Sequence, residues 1–107
     1  MSDEEVLPSD LVPIKDVNDQ PVHIIGRFAV EEHNRKGGHH FIYERVVNGL
    51  CSVDNFELFK CYIVVIEAKN DDGFHWSYIA KVRRMNSLPP KLYLSSFEEV
   101  IKFSVPN

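Results

Sequence analysis

Cysteine is scarce in this sequence, and so are the signatures of several large protein classes. The two cysteines, Cys51 and Cys61, are too few for a disulfide scaffold and lack the Cys-x-x-Cys spacing of zinc sites. No stretch approaches the roughly 20 apolar residues of a membrane span. The chain also starts without the basic and apolar regions of a signal peptide. As written, it is expected to be cytoplasmic, with secretion kept open for a processed form.

Positive charge is also in short supply. Lys and Arg number 12 against 16 Asp and Glu, and four of the acidic residues lie within residues 1–10, so residues 11–107 are formally neutral. A neutral body is expected to lack the basic face that attracts nucleic acid or anionic membranes, which leaves proteins as the expected partners. With 44% hydrophobic residues, the sequence predicts one packed domain over residues 11–107, preceded by a disordered acidic arm over residues 1–10. It indicates no cofactor and no metal.

The first half of the domain predicts a short strand and one helix. Residues 11–14 form an extended run around Pro13, which suits an edge strand. A helix of about 16 residues is expected from Pro21, with termination at Gly37 and Gly38. Its apolar stripe, widened by Ile24 and Phe28, consists of Val22, Ile25, Gly26, Ala29 and His33.

The second half predicts strands only. Alternation over residues 40–47 ends at Asn48-Gly49, a turn or bulge signal, and residues 61–68 form a β-branched run. Residues 70–73 predict a hairpin turn into a strand at residues 74–84, paired antiparallel with the run before it. Residues 91–94 and 97–103 can form a last strand, although residues 95–102 could also be helical. The expected fold class is α+β, with one helix on an antiparallel sheet.

Residues 25–34 read Ile-Gly-Arg-Phe-Ala-Val-Glu-Glu-His-Asn, which closely resembles the helix signature of plant cystatins. The collinear segments around it, covering about residues 11–103, look like the strands of that family. The resemblance implies a cystatin-like fold, in which one long helix packs across a curved antiparallel sheet of about five strands. It also implies a non-enzymatic function: reversible inhibition of papain-like cysteine proteases by a wedge that enters the active-site cleft. A monomer or a domain-swapped dimer would fit such a protein.

The resemblance also implies which residues contact the protease. They lie in an N-terminal trunk, a first hairpin loop and a second hairpin loop. In this sequence those segments are Leu11 and Val12; Asn55, Phe56, Glu57, Leu58 and Phe59; and Leu88, Pro89 and Pro90. If Phe56, Leu58 and Phe59 instead form one face of a strand, the functional loop would be residues 50–55.

All three segments depart from the cystatin pattern. Pro8-Ser9-Asp10 stands where the family has glycine, residues 55–59 replace Gln-Val-Val-Ala-Gly, and Asn86-Ser87 replaces Pro-Trp, with residues 88–94 as an apparent insertion. A non-inhibitory interaction module with the same fold is therefore the alternative.

Three side-chain assignments stay open at this point. Phe56, Leu58 and Phe59 fit a recognition edge or one face of a strand, and Cys51 and Cys61 fit free buried thiols or a disulfide across the loop. Trp76 fits the core or an interface, with the core favoured. No histidine lies in a motif for nucleophilic catalysis, and adjacent His39 and His40 are poorly spaced for metal binding on a strand.

Overall fold

One helix packs on a five-stranded antiparallel sheet in a computed structural model that describes residues 11–53 and 59–101. The elements are β1 (Leu11–Pro13), α1 (Gln20–Gly37), β2 (Ile42–Ser52), β3 (Phe59–Lys69), β4 (His75–Met85) and β5 (Lys91–Glu99). The strands lie in sequence order, each antiparallel to its neighbour. The predicted α+β class and the predicted order of elements are confirmed. The prediction for residues 1–10 falls outside the described residues.

The helix forms where the sequence predicts it and extends slightly further. Pro21 lies in its first turn, and Asp19 at the N-cap has extended backbone angles but makes no side-chain capping bond. Gly38 ends the helix in the left-handed region with φ 68°, and its N–H donates to the Asn34 carbonyl. Gly37 belongs to the helix, so Gly38 alone provides the termination that was expected at both glycines.

The core lies between the helix and one face of the sheet. Ile25 and Ala29 are buried as predicted, together with Val30, which the stripe had omitted. Ile24 is 52% exposed, so its expected place in the stripe is wrong. Alternate residues of the central strands face the helix, because side chains on a strand alternate between the two faces. The buried hydrophobic residues of the strands are Val46, Tyr62, Val64, Ile66, Ala68, Tyr78, Ala80 and Val82.

Glycine at position 26 allows the helix to approach β2 closely. A Cβ atom there would lie 2.6 Å from Val46 Cγ2 and 2.8 Å from Tyr43 Cε1, distances that side chains do not tolerate without movement. The approach also brings His23 within reach of the sheet, where its Nδ1 lies 2.7 Å from the Tyr43 hydroxyl. The glycine in the helix signature is therefore required by packing.

Two strands differ from their predicted limits. β2 continues through Asn48-Gly49 to Ser52, and the register shifts between Val46 and Asn48, so this signal marks a bulge and not a turn. β5 runs without interruption from Lys91 to Glu99, which excludes a helix over those residues. Residues 91–94, which the sequence suggested were part of an insertion, lie in this strand. The hairpin turn at residues 70–73 is confirmed, with Gly73 at φ 85°.

Candidate functional site

Three connections converge at one end of the sheet, which we call the loop end. The register pairs Leu11 with Ser52, Phe59 with Met85, and Met85 with Lys91. The start of β1, the β2–β3 connection and the β4–β5 connection therefore leave the sheet at the same end. The opposite end, which holds the tight turn between β3 and β4, is called the turn end.

The structure places the predicted contact residues at the loop end as far as it describes them. Leu11 is half-buried in β1, whereas Val12 is 37% exposed. Leu88 is 98% exposed, and Pro89 and Pro90 beside it are also exposed. The predicted residues Asn55, Phe56, Glu57 and Leu58 lie outside the described residues.

Phe59 is the described end of the predicted first hairpin loop. It is the first residue of β3 and is half-buried. The guanidinium of Arg83 lies over its ring, 4.4 Å from the ring centroid. Of the two alternatives left open for this phenylalanine, the structure supports a strand position, directly beside the loop. Leu50 and Cys51, which belong to the alternative loop over residues 50–55, lie in β2.

An open apolar groove lies at the loop end, between the start of the helix and the sheet. Its volume is about 360 Å³. Helix residues, including the exposed Ile24, form one wall, while strand residues and Pro90 form the other. The lining residues are Pro21, Ile24, Ile25, Tyr62, Arg84, Pro90 and Leu92. The groove is therefore continuous with the β4–β5 connection that carries Leu88 and Pro89.

Positive charge collects at the loop end. The halves of β3, β4 and β5 nearest this end, residues 59–64, 80–85 and 91–96, contain five Lys or Arg and no Asp or Glu. Residues 65–79 and 97–99, towards the turn end, contain five Asp or Glu and one Lys. The net charge of the body therefore does not report how its charges are distributed along these three strands. The cations are Lys60, Lys81, Arg83, Arg84 and Lys91.

The turn end offers a second candidate, a cluster of stacked rings. His33 lies between His39 and Phe97, with ring centroids 4.7 and 4.1 Å apart. Phe41 and Tyr78 complete the cluster beside a cavity of about 350 Å³. Within residues 11–53 and 59–101, no group of three or more His, Cys, Asp or Glu side chains is arranged to bind a metal ion.

The ionisable groups of the turn end serve the fold. Burial lowers the pKa of His33 first, and the neighbouring His39 lowers it further. The N–H of His40 donates to the Asp71 carboxylate at 2.6 Å, and together with His39 Nδ1 at 2.8 Å this holds the pKa of Asp71 below its ordinary value. These contacts tie the segment after the helix to the β3–β4 turn. They explain the cluster without a ligand.

The other open assignments are resolved as follows. Cys51 and Cys61 are half-buried thiols that are not joined in a disulfide. Trp76 is 38% exposed, and its indole N–H donates to the Val100 carbonyl at 3.2 Å, so the favoured core position is wrong. No helix in the described part of the chain is long and apolar enough to cross a membrane.

Comparison with known families places the chain in a family that is described by its inhibition of aspartic proteases. The family model described as SQAPI, aspartic acid proteinase inhibitor, matches residues 14–100. Because the match covers 87 of the 107 residues, the chain belongs to this family. The search of curated proteins found no match.

This finding corrects the assignment to the plant cystatins, and with it the prediction of a papain-like cysteine protease as the partner. The residues that carried the resemblance explain the error. Ile25, Gly26, Ala29 and Val30 are buried under the helix. Asn34 makes two hydrogen bonds of 2.9 Å with the backbone of Phe41. The helix signature therefore reports how the helix packs and not which protease is bound.

The basic cluster at the loop end was missed by sequence reasoning. Its members are separated by up to 31 positions along the chain and meet only through the strand pairing that joins Lys60 to Arg84 and Met85 to Lys91. The signal that could have found it is the position of each Lys and Arg relative to the predicted hairpin turn. All five lie on the side of β3, β4 and β5 that is remote from residues 70–73.

Proposed function

We propose that this protein is an inhibitor of aspartic proteases and acts through the loop end. The observation that carries the proposal is the match of residues 14–100 to a family described as aspartic acid proteinase inhibitors. An inhibitor of this kind binds and obstructs an enzyme and performs no catalysis of its own. This proposal keeps protease inhibition as the general activity and replaces the predicted class of target protease.

The loop end supports this proposal because exposed apolar side chains lie there, next to the connections that leave the sheet. Val12, Leu88 and Pro90 are exposed here and lie on two segments that leave the sheet together. Burial of apolar surface contributes about 25 cal/mol per Å², which makes such residues the natural source of binding free energy. We therefore assign Leu11, Val12, Phe59, Leu88, Pro89 and Pro90 to the surface that contacts the protease.

An inhibition assay with two protease classes tests the proposal. The full chain is titrated against pepsin, as a representative aspartic protease, and against papain. Aspartic proteases use two carboxylates that share one proton, which confines their activity to acid, so the pepsin assay is run at acidic pH. Inhibition of pepsin with no effect on papain is expected. Inhibition of papain alone, or of neither enzyme nor any other aspartic protease, would reject the proposal.

The finer description of the fold is also a proposal. The order of one short strand, one helix and four further strands, with the helix across one face of the sheet, supports a cystatin-like architecture. In this interpretation the fold is of the cystatin type while the target belongs to another protease class. Superposition on a cystatin should align the helix and all five strands, and a helix that crosses the sheet in another direction would contradict it.

A further inference from the structure

The basic cluster at the loop end contains two cations that oppose each other directly. Lys60 and Arg84 are cross-strand partners in β3 and β4. Both lie on the helix side of the sheet, since Arg84 lines the groove and the Lys60 ammonium is 5.6 Å from the centroid of the Tyr62 ring. Like charges in this arrangement repel each other and destabilise a sheet.

No carboxylate in the described part of the chain relieves this repulsion. The ion pairs of residues 11–53 and 59–101 involve neither Lys60 nor Arg84. Asp16 and Asp19, which precede the helix, form no ion pair with them either. An anion supplied by a partner would therefore find two donors already held together by the sheet.

The groove adds an apolar contact beside the two cations. Ile24 is 52% exposed on the helix wall, and Leu92 faces it from β5, where it pairs with Arg84. A ligand for this surface must combine negative charge with an aliphatic side chain. Pro90 belongs both to the groove and to the proposed contact surface, so one protein partner can cover both.

We propose that the groove, with Lys60 and Arg84 at its rim, binds a surface loop of the target protease that carries an Asp or Glu next to an aliphatic residue. The carboxylate lies against the two cations, and the aliphatic side chain lies between Ile24 and Leu92. This contact is additional to obstruction of the cleft, and it rests on the proposed function. It favours aspartic proteases with an acidic rim over those with a neutral one.

The test is a comparison of inhibition constants for pepsin at low and high ionic strength. The variant is Lys60→Gln with Arg84→Gln, and the matched control is Lys69→Gln, at the other end of the same strand. Assays at about pH 4.5 keep a part of the partner carboxylates ionised. Charge interactions between the two proteins are weakly screened at about 0.02 M salt and strongly screened at about 0.5 M, so the assay is run at both concentrations.

The double variant is expected to inhibit about 5- to 30-fold more weakly at low salt, mainly through slower association, and to lose most of the salt dependence. Its melting temperature is expected to stay unchanged or rise, because a cross-strand repulsion is removed. Lys69→Gln should behave as wild type. Ile24→Gln should weaken inhibition at both salt concentrations, whereas Ile42→Gln, a comparably exposed isoleucine at the turn end, should not.

Each alternative has a distinct result. If the wild type inhibits strongly and the double variant inhibits equally well, the docking proposal is overturned and the proposed function is left intact. A lower melting temperature of the double variant would show a structural role and also overturn it. The chain's own acidic residues could instead occupy the groove. Deletion of residues 1–10 would then strengthen inhibition by the wild type but not by the double variant, and this result would also reject the docking proposal. A wild type that inhibits no aspartic protease would reject both proposals.

Discussion

Single residues decide how the helix meets the sheet. Asn34 acts as a substitute peptide group, since its amide N–H donates to the Phe41 carbonyl and its oxygen accepts the Phe41 N–H, both at 2.9 Å. These two bonds join the last turns of α1 to the residue just before β2. A residue that fixes the connection between two elements in this way is selected by the fold, whatever the protein binds.

Replacement of Asn34 by Ala is expected to lower the free energy of unfolding by about 1–3 kcal/mol, because it leaves two half-buried backbone groups without partners. Thermal or urea denaturation measures the change. Glu31→Ala, an exposed position on the same helix, is the control and should shift stability by less than about 0.5 kcal/mol. Equal stability of the two variants would contradict the structural role of Asn34.

Gly26 acts through the absence of a side chain, which leaves room for the helix to lie close to β2. In an open helix, Gly26→Ala would be stabilising by about 1 kcal/mol. Here the new methyl group would lie 2.6 Å from Val46 Cγ2, so we expect a net loss of about 1–3 kcal/mol. Urea denaturation of the single variant and of Gly26→Ala with Val46→Ala measures it. The double variant should recover part of the loss, and a stabilised single variant would show that the helix can move away from β2.

At the scale of secondary structure, local patterns were sufficient for the helix, the β3–β4 hairpin and the order of elements. Two features that the sequence left open are decided by the neighbouring strands. Asn48-Gly49 is a turn signal in isolation, but β2 is held on both sides, by β1 and β3, and continues through it as a bulge. Ser95 and Ser96 are weak strand formers, but β5 continues through them because β4 pairs with Leu94 and with Ser96, on either side of a register shift at Ser95.

The same reasoning applies to the candidate site. The start of β1 and the β4–β5 connection lie at one end, as the sequence led us to expect, because alternate connections of antiparallel strands in sequence order share an end. It could not provide the target class, since the family signature lies in the core. It could not provide the groove either, because Pro21 and Leu92 are 71 positions apart and meet only when the helix packs on the sheet.

The β4–β5 connection gives a prediction at this scale. Leu88→Ala removes an almost fully exposed apolar side chain, so folding stability should not change. Inhibition of pepsin should weaken about 10-fold if this residue is buried by the protease, as measured by the inhibition constant. Phe74→Ala, which removes a side chain that is 66% exposed at the turn end, is the matched control and should leave inhibition unchanged. An equal loss in both variants would argue against the loop end as the contact surface.

For the molecule as a whole, the separation of charge along the sheet matters because aspartic proteases work in acid. Lys and Arg stay charged there, whereas carboxylates and histidines gain protons. Acidification therefore leaves the cations of the loop end unaltered and acts on the turn end, where His33 and Asp71 have lowered pKa values. A group with a lowered pKa in the fold binds protons more readily when unfolded, so both groups make the protein less stable as the pH falls.

The two groups act in different pH windows, and the upper one can be isolated by mutation. His33 has an ordinary pKa of 6.5, lowered in the fold by burial and by His39, so stability should fall as the pH drops from above 6.5 through the folded-state pKa. His33→Phe keeps a ring stacked on Phe97 and removes this titration. Between about pH 7.5 and pH 5, its melting temperature should decrease by a few degrees less than that of wild type. His40→Gln, an exposed control, should follow the wild-type curve, and parallel curves for all three proteins would show that protonation of His33 does not oppose folding.

Below the ordinary pKa of 3.8 for an aspartate, loss of the Asp71 contacts should lower the melting temperature of all three. This places a lower limit on the pH at which the folded inhibitor can present its basic end to an acid protease.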